Sequence, residues 1–492
     1  MTLAVLWTSF AQGSPPFSAQ AIPAPVEFPK VVALDASGDG LGDLVASARQ
    51  GSSHGVVALL GDGVGGFGTQ QFSATTGAAY DIAAGDLNED GLSDILIANA
   101  AFGPYLQVLL GIGSGSYVNT QNLFLIDDVN SVAAGDWDGD GDLDAVGGYF
   151  FTGVGLLKGD GAGSLQPVGD LYGFSAQFSV LLADMTDDGL PDIVAASNSK
   201  LVIHRNTGGT FASAPFSIPV SAFVAAVGDL DIDGHLDVAA GGSGVSALKG
   251  DGAGGLGPPV PILSRGQCFS VRICDLQRDG KPDVVFTRLD SGGVYFASGD
   301  GAMGFAAPVV IAGIASGVGL AAIDFSADGS IDLAAAVPAP QSVVAMQNLT
   351  PSAPATVPIG SGTAGCLGVQ GIAASSIPIV GNNSFGITIT NVPFRSLALL
   401  LVGDAVDAAG SDLFGAGVLL HIDLSASSQI LVLDARADSE ASAFVSLGIP
   451  PQPALSGQAF FIQLISAWPT AGLCMPSPFH LSSSRALRVR VL

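Results

Sequence analysis

The sequence predicts an all-β protein, a seven-bladed β-propeller followed by a small β-sandwich. Three observations carry that prediction. A nine-residue acidic pattern, D-x-x-x-D-G-x-x-D, recurs seven times. Each copy is followed by the same succession of short β-rich runs and a glycine turn. The last repeat lacks a fourth strand, and a matching segment stands ahead of the first repeat. Self-similarity at such a period is the mark of solenoids, propellers and arrays, and it takes precedence over local readings.

The copies read DASGDGLGD from Asp35, DLNEDGLSD from Asp86, DWDGDGDLD from Asp136, DMTDDGLPD from Asp184, DLDIDGHLD from Asp229, DLQRDGKPD from Asp275 and DFSADGSID from Asp324. A small-residue apolar strand precedes each loop, as in DIAAG, SVAAG and FVAAVG. Small side chains suit strands that converge on a propeller axis, where bulky ones would collide. A second strand follows (DILIA, DIVAAS, DVVFT), then a third that runs into a glycine turn (VVALLGDGVGGF, VGLLKGDGAGSL, VSALKGDGAGGL), then a short fourth. Four strands per repeat with turns between them and no helical period fit a propeller blade. The seventh unit stops at VVAMQNLT, and SPPFSAQAIPA near the start resembles GGFGTQQFSAT and GTFASAPFSIP. Residues 17–24 are therefore expected to supply the outer strand of the last blade and close the ring, which removes an exposed sheet edge.

The charge pattern agrees with a reserved use of acid. The chain has 492 residues, 48% apolar, and a formal net charge of −27 from 43 acidic and 16 basic residues. The seven nine-residue patterns hold 26 of those 43 acids. No basic stripe exists to neutralise phosphates, so nucleic acid is not an expected partner, nor is an anionic membrane surface.

With both the acidic loop and the later G-x-G-x-F turn in hand, the repeats resemble the FG-GAP/VCBS family, the units of integrin α-subunit propellers and of many secreted bacterial proteins. The resemblance covers roughly residues 15–350. From the residues alone, Asp at positions 1, 5 and 9 brings hard oxygens toward one point. Glycine at position 6 permits the sharp turn, and Ca²⁺ takes six to eight oxygen ligands. Hydrogen-bonded turns are the alternative, because Asp and Gly also favour turns. The resemblance implies up to seven Ca²⁺ ions, held by side chains at positions 1, 3, 5 and 9 and by the carbonyl at 7. Those side chains are Asp35, Ser37, Asp39 and Asp43; Asp86, Asn88, Asp90 and Asp94; Asp136, Asp138, Asp140 and Asp144; Asp184, Thr186, Asp188 and Asp192; Asp229, Asp231, Asp233 and Asp237; Asp275, Gln277, Asp279 and Asp283; and Asp324, Ser326, Asp328 and Asp332. Asp138, Asp231 and Asn88 rank blades 2, 3 and 5 above the rest. The expected role is structural, fixing the hairpin between the first two strands of each blade.

Other motif matches are discounted. Gly63, Gly65 and Gly68 satisfy G-x-G-x-x-G but sit in the repeated glycine turn with no helix behind them. GSSHG around Ser53 has the spacing of a nucleophile elbow, yet falls between two strands. The uncharged stretch 301–323 is long enough to suggest a membrane span, but the repeat register divides it into strands. The five histidines show no ligand spacing, and Trp137 is expected in the core rather than as a sugar platform.

Residues 1–14 read as a residual signal-like segment, with cleavage after Ala11 sparing the closing strand and cleavage after Ala21 removing part of it. Residues 351–365 are rich in Pro, Ser, Thr and Gly and read as a linker. Residues 366–492 alternate as a β-sandwich, and GCLG with PIVGN resembles a C-terminal module of secreted planctomycete proteins. Cys366 and Cys474 could clamp that module, whereas Cys268 and Cys274, on one strand, are expected as free buried thiols.

The functional expectation is a secreted or cell-surface, non-enzymatic binding or adhesion module, monomeric, with an extracellular protein or glycan as partner. Calcium loops of low charge suit extracellular calcium concentrations. The alternatives are a lectin-like glycan binder, which would need aromatic–polar pockets, and a polysaccharide lyase or hydrolase on a propeller scaffold, which would need a catalytic cluster outside the loops.

Overall fold

A computed structural model describes residues 15–350 apart from 100–105, 173–177, 213–214, 315–318, 327 and 329; beyond 350 it describes strands. Among the described residues, 17–348 form seven four-stranded antiparallel sheets, six of which run from first to fourth strand in sequence order. Blade 1 spans 26–74, blade 2 81–123, blade 3 129–172, blade 4 179–218, blade 5 224–263 and blade 6 268–312. Blade 7 takes three strands from 319–348 and its fourth from Phe17–Pro23. That strand lies antiparallel to Ser342–Asn348, with Phe17 opposite Asn348 and Pro23 opposite Ser342. The ring is closed by the start of the chain, as the sequence predicts.

Seven apolar clusters hold the ring, and each is shared by two consecutive blades. Ile97 and Ile95 of blade 2 pack with Val45 and Val56 of blade 1. The seventh cluster joins Leu44 and Val57 of blade 1 to Phe325 and Ala334 of blade 7. Second strands are buried on both faces, which is why DILIA and DIVAA are continuous apolar runs rather than alternating ones. Neighbouring first strands line the inside of the ring, where Ala83, Ala133 and Ala226 let them approach.

The discounted motifs fall where the repeat register puts them. Gly51 and Ser52 make the turn between Asp43–Gln50 and Ser53–Gly61. The uncharged stretch divides into Val309–Ala312 and Gly319–Ile323. No helix among the described residues is long and apolar enough to cross a membrane. Trp137 is buried and its Nε1 donates to the Leu157 carbonyl at 3.3 Å. Cys268 and Cys274 are buried and unbridged.

Beyond residue 350, Leu397–Gly403 pairs with both Ile430–Ala435 and Ala459–Ala467. Thr356–Ile359, inside the segment expected as a linker, pairs as an edge strand with Ala486–Arg490, a position that tolerates Pro358. The expected sandwich packing and the Cys366–Cys474 clamp lie outside the described residues.

Candidate metal centres

All seven acidic loops join the first and second strands of a blade and lie at one end of the ring. Their backbone is fixed by their own carboxylates. In blades 2, 4, 5 and 6 the position-1 Asp accepts the amide of position 5 on Oδ1 and that of the position-6 glycine on Oδ2, at 2.8–3.1 Å. Asp at position 5 accepts the amide of position 7, as Asp90 does from Leu92 at 2.9 Å. Position 6 is left-handed, as expected for glycine (Gly91, φ 89°). In blades 1 to 6 position 4 is left-handed as well, although it is glycine only in blades 1 and 3; Glu89, Asp187, Ile232 and Arg278 adopt φ of 56–62°.

The position-9 carboxylates have a further role that the repeat pattern does not announce. All seven are fully buried. In blade 5, Asp237 Oδ2 accepts the Leu230 amide at 2.7 Å and Oδ1 accepts the Gly250 amide at 2.7 Å. The second bond reaches the end of the third strand, so the residue clips loop, second strand and third strand together. Asp43, Asp94, Asp144, Asp192, Asp283 and Asp332 make the same reach, to Gly61, Gly111, Gly159, Asn206, Gly299 and Asn348. A Cβ on Gly250 would lie 2.0 Å from the Leu236 carbonyl oxygen, so the closeness of strand and loop requires glycine there. Blades 4 and 7 use asparagine instead, and its side chain latches onto the preceding blade. Asn206 Nδ2 donates to the Trp137 carbonyl at 2.6 Å, and Asn348 Nδ2 to the Leu276 carbonyl at 2.8 Å.

Burial makes these carboxylates hard to charge. It raises Asp94, Asp144 and Asp237 to about 7 and Asp43 and Asp192 to about 6, against the lowering effect of their amide donors. Neighbouring acids of the same loop raise them further. Such sites favour a cation as much as a proton.

Among the described residues, two loops bring three carboxylates to within 4.8 Å of one another: Asp136, Asp138 and Asp144 in blade 3, and Asp229, Asp231 and Asp237 in blade 5. These are two of the three loops ranked first on sequence. In blade 2, Asn88 turns its amide to Asp90 at 2.9 Å. In blade 6, the Ser298 hydroxyl donates to Gln277 Oε1 at 2.5 Å. In blades 1 and 7, Ser37 and Ser326 reach back to the position-1 carboxylates at 3.4 and 3.5 Å. Thr186 Oγ1 in blade 4 and Asp231 Oδ1 in blade 5 are buried without a hydrogen-bond partner. Two orphaned oxygens at position 3, beside desolvated carboxylates, fit a hard cation with oxygen ligands.

Two residues that sequence reasoning passed over also enter the sites. Lys158 and Lys249, at the ends of third strands, direct their ammonium groups into the loops of their own blades. Lys158 pairs with Asp138, and with Asp140 at 2.7 Å; Lys249 pairs with Asp231, and with Asp233 at 2.7 Å. Against the raising effect of burial, these hydrogen bonds hold Asp140 and Asp233 below the usual carboxylate range. The available signal was the shared KGDGAG of blades 3 and 5, the only two repeats with Asp at position 3.

Residues 35–97, 184–240 and 275–335 match the family model of the FG-GAP-like repeat. These three stretches of the ring are similar to FG-GAP-like repeats. The matched segments include six of the seven acidic loops, and the loop of blade 3 lies between them. No curated protein sequence matches the chain. Similar solved structures include an Agrocybe aegerita lectin described as recognising non-reducing terminal N-acetylglucosamine, at 20% identity and a TM-score of 0.44, covering 69% of this chain and 88% of that one. BBS1N in complex with ARL6DN is similar at 12% identity and a TM-score of 0.47, covering 67% and 97%. The WD40 propeller domain of Doa1 is similar at 13% identity and a TM-score of 0.45, covering 66% and 94%.

Proposed function

We propose that this protein is a secreted or cell-surface module, monomeric and non-enzymatic, whose FG-GAP-like propeller is stabilised by Ca²⁺ and binds an extracellular protein or glycan. FG-GAP-like repeats are typical of extracellular proteins, which supports the location. The likeness of GCLG and PIVGN to a module of secreted proteins supports it too. Side chains at positions 1, 3, 5 and 9 of each loop, with the carbonyl at 7, would hold the ion. Bound Ca²⁺ would neutralise carboxylates that otherwise repel one another across a tight turn.

The observation that carries the binding reading lies at the opposite end of the ring from the acidic loops. There blade 3 and the connection leading into it expose Phe124 (72%), Ile126 (59%), Phe151 (66%) and Tyr172 (62%). Apolar residues gathered on one surface of a soluble fold mark interaction sites. The backbone beneath them is pinned: Asp127 Oδ2 accepts the Phe151 amide at 2.9 Å and the Thr152 hydroxyl at 3.1 Å. Asp170 accepts the hydroxyls of Tyr149 and Tyr172 at 2.6 and 3.1 Å. Pre-ordered aromatics lose little freedom on binding.

A glycan is the second reading, favoured by the same aromatic–carboxylate pairing, which suits stacking on a sugar ring with hydroxyls donating to acid. A screen of immobilised glycans and matrix proteins with the purified chain, repeated with Phe151→Ala/Tyr172→Ala, tests the surface. Binding that the double variant retains in full would remove this surface from the proposal. Thermal unfolding in Ca²⁺ and in EGTA tests the metal, and equal midpoints would remove it.

A further inference from the structure

We propose that Lys158 and Lys249 are built-in counter-cations, which hold the loops of blades 3 and 5 together when no divalent ion is bound and set the Ca²⁺ affinity of those two sites below what their acids alone would give. This rests on the Ca²⁺ reading above for its second half, and on the geometry alone for its first.

Three observations converge. Each ammonium bridges the acids at positions 3 and 5 of its own loop. The place occupied by these lysines, directly before the residue whose amide the position-9 Asp holds, is leucine in blades 1 and 2, arginine in blade 4, serine in blade 6 and glutamine in blade 7. Asp at position 3 occurs only where that place is lysine, so the extra acid and the extra base come together. Finally, Asp231 is divided between two tasks. Its side chain is 9% exposed, its Oδ2 meets Lys249, and its Oδ1 is buried with no partner. One oxygen is thus committed to the ammonium while the other is left without a partner, and the carboxylate as a whole lies within 4.8 Å of those of Asp229 and Asp237.

An ammonium a few ångströms from a divalent ion opposes its binding, and an ammonium among carboxylates relieves their repulsion when the ion is absent. The propeller would therefore carry two kinds of loop. Those of blades 3 and 5 are closed by the chain's own charge, whereas those of blades 1 and 2 have no lysine at that place.

Trp137, at position 2 of the blade 3 loop, is the only tryptophan in residues 15–350, and the emission lost in Trp137→Phe reads site 3 apart from Trp7 and Trp468. Tb³⁺ is titrated into the full-length chain to give its own affinity from Trp137-sensitised emission, and Ca²⁺ is then titrated in as competitor. With each variant's Tb³⁺ affinity entered in the competition, Lys158→Met should raise the Ca²⁺ affinity of the site about tenfold, through loss of the opposing charge. It should also lower the melting temperature in EGTA, while Lys158→Arg stays close to wild type in both. An unchanged or weaker Ca²⁺ affinity in a folded Lys158→Met chain would overturn the affinity claim. Unchanged melting in EGTA would overturn the counter-cation claim. If wild type gives neither sensitised emission nor a Ca²⁺-dependent melting point, the Ca²⁺ reading fails, and the EGTA comparison still decides whether the lysine holds the loop.

Discussion

The Asp237 carboxylate accepts the Gly250 amide at 2.7 Å, so the last residue of an acidic loop is tied to the segment just beyond the third strand of the same blade. The same carboxylate also accepts the Leu230 amide. Asp237→Ala therefore strands two amide donors, each at a cost of about 1–3 kcal/mol where buried. Urea unfolding in EGTA should show that loss, because it does not depend on metal. Stability equal to wild type under those conditions would mean that Asp237 matters only as a ligand. Gly250→Ala should destabilise by about 1–3 kcal/mol through overpacking, since its Cβ would overlap the Leu236 carbonyl.

Without metal, stability should fall as pH rises. Burial raises Asp94, Asp144 and Asp237 to about 7 and Asp43 and Asp192 to about 6, while the unfolded chain titrates near 4. Between those values the folded state binds more protons than the unfolded state, so acidification favours folding. In EGTA the melting temperature should climb from pH 8 to pH 5, and saturating Ca²⁺ should flatten that climb. A melting temperature in EGTA that rises with pH would contradict the burial argument.

Ile232 is a β-branched residue in the left-handed region, at φ 62°, and it is half exposed. That conformation costs roughly 1–2 kcal/mol for a residue with a Cβ. Ile232→Gly should raise the melting temperature, with the loop hydrogen bonds of Asp229 unchanged because they involve the backbone. A lower melting temperature would show that the Ile232 side chain packs more than its exposure indicates.

Removal of residues 1–23 deletes the strand that pairs with Ser342–Asn348 and opens the ring. The shortened chain should melt earlier and self-associate through the bared edge, whereas removal of residues 1–14 should change neither property. Light scattering beside thermal unfolding separates the two. Equal behaviour of both truncations would mean that the closing strand is dispensable.

The seven-bladed ring was legible because a propeller repeats one local solution. The acidic nonapeptide, the small-residue first strand and the glycine turn each recur in register, and one missing strand pointed to its own replacement at Phe17–Pro23. The loops as candidate sites were legible for the same reason. What each acid does was not. Asp237 and its six counterparts look like simple ligands in the pattern, yet they are clips between strands. Lys158 and Lys249 look like surface residues, yet they fill the loops. The amide of Gly250 and the ammonium of Lys249 lie 13 and 12 residues from Asp237, and only strand pairing sets them against the loop. By itself the sequence determined the repeat, its number and the closure, because those follow from local propensity and spacing. The tertiary structure alone decided the partner of each charge, because hydrogen bonds and ion pairs depend on distances of a few ångströms across strands that spacing does not encode.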